Sequence, residues 1–176
     1  MSRSPNTIVV TLEHLENLQL PAEISKEVLV SKEVILDADN AVLGRLASVT
    51  ANLAKLGFKV HVVNVEKAVV TGDKKMVVDS YKLLFDVKTH KNPYKHAIHR
   101  PRHPINIFKR AVRNMLSKDS WLRIQLLKRV KAYLGIPEQF KSRHIIKILD
   151  CDASYLGRRK VVSVATIARE LGWRGA

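Results

Sequence analysis

The amino-acid sequence predicts an α/β fold with one main sheet and an extension at each end. Three observations carry that expectation. Glu33-Val34-Ile35-Leu36-Asp37 is a β-branched run of strand length. Leu43, Leu46, Ala47, Thr50, Ala51, Leu53 and Ala54 then recur at helical spacing. Lys59 to Val65 is an almost continuous apolar run bounded by turn signals, which suits a strand covered on both faces, as in a parallel sheet. Together they make a βαβ unit, with a right-handed crossover as the default.

Each element has a local reason. In residues 1–32, Thr7 to Leu12 fits a short strand and Glu13 to Leu20 a turn of helix ending before Pro21, an appendage to the main domain. Asp37-Ala38-Asp39-Asn40 supplies turn and N-cap chemistry ahead of the first long helix, and Gly57 closes that helix. Gly72-Asp73 is a second turn. Val77, Val78, Tyr81, Leu84 and Phe85 mark a helix from Lys74 to Phe85. From His90 to Pro104 three prolines and no apolar period predict an extended loop. Ile105, Phe108, Ala111, Val112, Met115 and Leu116 form one apolar stripe, with Lys109, Arg110, Arg113 and Asn114 opposite. Asp119 or Ser120 can cap a further helix whose inward residues are Leu122, Leu126, Leu127 and Val130. Its outward ones are Arg123, Lys128, Arg129 and Lys131, and Gly135-Ile136-Pro137 ends the unit. Ile145 to Leu149 and Lys160 to Val164 fit strands. Ser163 or Thr166 can start a last helix that Gly172 stops. The organisation expected is 1–32 as N-terminal extension, 33–137 as core and 138–176 as C-terminal extension.

Charge divides the chain differently. The formal net charge is +15 over 176 residues, with a hydrophobic content of 46% that suffices for a core. Residues 88–131 hold 13 Lys or Arg against one acid, Asp119, so they carry +12 of the total. No apolar run approaches the roughly 20 residues of a membrane span. The first residues do not read as a signal peptide. A single cysteine, Cys151, excludes an internal disulfide and fits a reducing, cytoplasmic compartment. A nearly neutral scaffold with one strongly cationic strip points to a polyanionic partner, nucleic acid foremost.

The donors that follow from this reading are Lys88, Lys91, Lys95, His96, His99, Arg100, Arg102 and His103 in the loop, and Lys109, Arg110, Arg113, Lys118, Arg123, Lys128, Arg129 and Lys131 beyond it. The strip's four histidines have no cysteine beside them, and Pro101 separates His99 from His103, so a metal site is not expected. Beside Arg and Lys they read as supplementary hydrogen-bonding or stacking groups. Neither GxGxxG nor GxxxxGK occurs, so no nucleotide cofactor is implied, and Gly72-Asp73-Lys74-Lys75 reads as a plain turn.

Three blocks together resemble the universal large-subunit ribosomal protein thirteen family. They are VILDADNAVLGRLAS (34–48), VVNVEKAVVTGDK (62–74), and the stretch from 92 to 137 containing HRPRHPINIFKRAVRNML and KRVKAYLGIP. SVATIARELGW (163–173) is similar to the C-terminal extension of archaeal and eukaryotic members, which suggests the archaeal type. The resemblance implies a three-layer α/β/α domain around a short parallel sheet. It also implies a structural and assembly role on large-subunit ribosomal RNA beside neighbouring ribosomal proteins, with no catalysis and no cofactor. It places contacts at Gly44, Arg45, Thr71, Gly72, Lys74, Arg100, Arg102, Arg110, Arg113 and the 128–131 segment. The chain departs from the family pattern at Asn114, at Ser117 and at His96-Ala97. Two readings from other classes stand against it. One is a magnesium-dependent nucleic-acid enzyme using Asp37 and Asp39; the other is a non-ribosomal RNA-binding regulator.

Overall fold

The computed structural model describes residues 7–13, 31–87, 90–96 and 99–175. Its main sheet has five strands: β1 (Thr7–Val10), β2 (Glu33–Asp37), β3 (Lys59–Val63), β5 (Val130–Ala132) and β6 (Ile145–Ile148). They lie in the spatial order β1-β6-β2-β3-β5, and every pairing is parallel. Segments 1–32 and 138–176, set apart in the sequence, thus supply β1 and β6 to the same sheet as the βαβ unit. A separate antiparallel pair joins β4 (Val69–Thr71) to β7 (Val161–Ser163).

Alternation along the strands explains why both faces must be covered. Val34 and Leu36 of β2, with Val60 and Val62 of β3, enter a large core beneath helix α1 (Leu43–Lys55) and helix α4 (Pro104–Met115). Helix α7 (Val164–Glu170) adds Val164, Ile167 and Ala168 to it. On the opposite face, Ile35, Val63 and Ile145 meet Phe140 of the one-turn helix α6 (Glu138–Lys141), with Tyr133 and Ile136 at the edge. The result is a three-layer α/β/α arrangement with one thick and one thin helical layer. Helix α2 (Lys74–Asp86) lies outside the thick layer and buries only Val77 and Val78.

Several local expectations need correction. The turn at 37–40 does not cap α1. The N-cap is Val42, without a side-chain hydrogen bond, while Asn40 adopts a left-handed conformation and its Nδ2 donates to Asp152 and Ser154. The predicted loop 90–104 contains a helical turn, α3 (Pro93–His96). Asn92 Oδ1 accepts from the Tyr94 N–H at 2.9 Å, and proline at the first helical position gives up no needed donor. The helix predicted to run on to Val130 ends earlier. Helix α5 (Ser120–Lys128) stops and Val130–Ala132 pairs with β3, so Val130 is buried as a strand residue. Leu122 and Met115, expected inward, are 40% and 43% exposed, whereas Ile107, absent from the predicted stripe, is 2% exposed. The predicted helix over 13–20 and the position of Lys88 lie outside the described residues.

Candidate nucleic-acid interface

Helix α4 is the centre of the cationic face, and its own sequence positions it. The His103 Nδ1 accepts from the Ile105 N–H at 3.3 Å as an N-cap, and Pro104 occupies the first turn. Phe108 and Val112, both fully buried, lock the inner side against the core. Asn106, Lys109, Arg110 and Arg113 follow at helical spacing on another side. With His99, Arg100, Pro101 and Leu127 they line an open groove of about 280 Å³. A second cleft of about 460 Å³ opens between α2 and α4. Its lining is Ser80, Tyr81, Leu84, Phe85, Arg100, Pro101, Ile107, Arg110, Ala111 and Asn114. Arg100 and Arg110 belong to both, so they form the ridge between the two. No carboxylate lines either one.

Ion pairing differs between scaffold and strip. Some scaffold cations have carboxylate partners: Arg143 and Lys59 at Glu33 (2.9 and 3.7 Å), Lys74 and Lys82 at Glu170 (3.2 and 4.0 Å), Lys147 at Asp152 (3.0 Å) and Lys160 at Asp73 (2.9 Å), whereas Lys55, Lys67, Arg158 and Arg159 have none among the described residues. Among the described residues, Lys95, Arg100, Lys109, Arg110, Arg113, Lys118, Arg123, Lys128 and Lys131 have no carboxylate within 4.0 Å. What distinguishes the strip is the density of cations that face no carboxylate, a charge left to be neutralised from outside.

The predicted donors therefore sort into groups. His99, Arg100, Lys109, Arg110 and Arg113 come together in one groove. Lys91, Lys95 and His96 are exposed around α3; Lys118 lies just before α5, Arg123 and Lys128 on it, and Lys131 on β5. Others also make contacts within the fold, although Arg102 and Arg129 remain exposed. Arg102 sits over the Phe85 ring at 5.0 Å from its centroid, His103 caps α4 and meets the edge of Trp173, and Arg129 donates to the Ala54 carbonyl at the end of α1. Arg45, exposed, reaches the Asp150 carbonyl at 3.3 Å, and Lys74 pairs with Glu170, both apart from the groove. Gly44 is exposed, and nothing lies within 4 Å of where its Cβ would be. Thr71 is exposed beside Gly72, whose φ of +134° and a Cβ site 3.0 Å from Val77 Cγ2 give a local reason for glycine. Asn106 and Leu127 were missed. Asn106 was legible from its i, i+3 and i+7 relation to Lys109 and Arg113, whereas Leu127 reaches the groove only through tertiary packing.

The carboxylates of the enzyme reading are engaged otherwise. Asp37 Oδ1 accepts from Asn64 Nδ2 at 2.8 Å and from the Asp39 N–H at 3.0 Å, and the residue is 9% exposed. Its carboxylate holds the two turns at the ends of β2 and β3 together. Among the described residues, no three His, Cys, Asp or Glu side chains gather where a metal could bind. Cys151 is fully buried, and burial, reinforced by Asp150, pushes its thiol up to about 11.

A parallel-sheet α/β scaffold that carries one helical face dense in cations and free of carboxylates belongs to the class of polyanion-binding proteins. The comparisons narrow that class. The family model for ribosomal protein L13 matches residues 31–139, and the chain belongs to that family. It is 51% identical over 142 residues to the large ribosomal subunit protein uL13 of Saccharolobus solfataricus, covering 81% of this chain and 94% of that one. It is 48% identical to the protein of the same name from Sulfolobus acidocaldarius (79% and 93% covered) and 40% identical to that of Archaeoglobus fulgidus (80% and 88%).

Proposed function

We propose that this protein is a structural constituent of the large ribosomal subunit, binding ribosomal RNA and supporting assembly of the subunit. Its place is on the cytoplasmic ribosome, beside other large-subunit proteins, and its role is not catalytic. The observation that supports the reading is the density of basic side chains in one groove, His99, Arg100, Lys109, Arg110 and Arg113, whose lining holds no carboxylate. Cations held on a packed helix and facing no carboxylate are placed to neutralise phosphates, which supply affinity and register. The contact set centres on His99, Arg100, Lys109, Arg110 and Arg113. It is extended by Lys91, Lys95, His96, Lys118, Arg123, Lys128 and Lys131, with Gly44, Arg45, Thr71, Gly72 and Lys74 as a separate patch. Arg102 and Arg129, both exposed, and His103 belong to the contact set too while also bracing the fold. Sedimentation tests the proposal: the native protein travels with the large subunit and stays there through a moderate salt wash. Recovery in the free pool at low salt would refute it.

A further inference from the structure

The two clefts that share Arg100, Pro101 and Arg110 differ in the residues around them. The smaller one is ringed by His99, Lys109 and Arg113, whose stems form much of its floor and whose charged ends suit phosphate oxygens. The larger one is walled by Tyr81, Leu84, Phe85, Pro101 and Ala111, so it suits something flat and apolar. Its volume of about 460 Å³ lies in the usual range of about 300–1,000 Å³ for clefts that bury a small organic group. Arg102 over the Phe85 ring holds that wall in place. Ser80, Asn114 and the Tyr81 hydroxyl add polar groups to the lining, which base edges can use.

We propose that the α2–α4 cleft receives one unpaired nucleobase of the bound RNA, while Arg100 and Arg110 on the shared ridge hold the phosphates flanking that nucleotide. The ligand class is an extruded nucleotide in a single-stranded loop or bulge, the form in which RNA presents bases for stacking on aromatic side chains. Charge complementarity favours this occupant over an apolar protein side chain. Two arginines at the mouth and no acid in the lining would leave a protein residue beside unneutralised charge, whereas a nucleotide brings its own phosphates. This inference rests on the RNA-binding reading above.

The test uses the full chain with two probes, a short single-stranded oligoriboadenylate and an RNA duplex of similar total charge. Ala111→Leu narrows the cleft without altering any cation. The expected result is affinity for the single strand weakened roughly tenfold or more, the scale of one base stacked on an aromatic ring, with duplex affinity and salt dependence unchanged. Photocrosslinking of the wild-type chain to single-stranded RNA containing 4-thiouridine is a readout that needs no variant, and it should label Tyr81 or Phe85. Labels confined to 109–113, or equal weakening for both probes, would overturn the inference while leaving RNA binding in place. If Ala111→Leu spares both RNA affinities but loosens the protein from the subunit, the cleft holds a protein side chain, and the inference again fails. If the wild-type chain binds neither probe, the RNA-binding reading itself fails.

Discussion

Replacing Arg110 and Arg113 together by glutamine tests the division between scaffold and binding face. Both side chains lie across α4 from Phe108 and Val112, and neither has an ion-pair partner among the described residues. Glutamine keeps part of the stem that covers apolar surface, so stability should change by no more than about 0.5 kcal/mol for each. RNA binding should respond through counterions. If about eight phosphates are engaged, the slope of log K against log salt is about −6, using roughly 0.7 per phosphate for single strands. The loss between 50 and 200 mM salt is then about 2 × 10³-fold. Removing two contacts should bring the slope to about −4 and the loss to about 300-fold. Filter binding or fluorescence anisotropy across that salt range measures the slope, and circular dichroism with a urea melt measures the fold. An unchanged slope would show that these arginines do not meet phosphate. A collapsed fold would show that the face assignment is wrong.

Three further outcomes follow from packing and ionisation. Phe108→Ala empties a fully buried site between α4 and the sheet and should cost about 3–5 kcal/mol in a urea melt, which a protein of ordinary stability barely survives. Acid should weaken the fold in two steps. Burial holds His61 below its ordinary value, so the unfolded chain takes the proton first, and stability is lost as pH falls below about 6.5. The Arg143 hydrogen bond holds Glu33 below its ordinary value of 4.5, so its contribution is present above that pH and disappears further down. His61→Gln should abolish the upper step and keep the lower one, as seen in thermal melts against pH. Cys151 should resist a thiol reagent in the native state and react at the rate of unfolding, so quick labelling of folded protein would contradict its burial.

How much of this was legible in the sequence depended on whether the signal was local. The βαβ unit, the Lys59–Val63 strand and the α4 stripe were legible because period and turn chemistry lie within a short window. Val130 was assigned to a helix because LLKRVK continues the apolar spacing of α5. Only pairing with Val60, about seventy residues away in sequence, makes it a strand. Likewise β1 joins the sheet through β6, a partner at the far end of the chain that no window contains. The basic face was legible as charge, but not the separation of its members. Arg102, Arg129 and Arg113 read alike in sequence. All three are exposed, but Arg102 also lies on a phenyl ring and Arg129 also reaches a helix-end carbonyl, contacts that Arg113 lacks among the described residues.

That separation implies that the fold and the complex respond to salt in opposite directions. Lys109 and Arg113 lie one turn apart on α4, and Arg110 lies three residues before Arg113. Like charges at such spacings cost about 0.2–0.5 kcal/mol per pair in an exposed helix. The buried apolar side of α4 offsets this strain in the free protein, and phosphates relieve it in the complex. Raising ionic strength shortens the screening length from about 30 Å at 0.01 M to about 10 Å at 0.1 M, which removes about a third of the repulsion between neighbours about 6 Å apart. The free protein should therefore gain a few tenths of a kcal/mol, about 0.1–0.3, over that range, while RNA affinity falls by orders of magnitude. Urea melts and binding isotherms taken in the same buffers decide it. If stability falls with salt alongside affinity, attractive pairs of the Glu33–Arg143 kind dominate the charge balance, and the strip is not an unneutralised face.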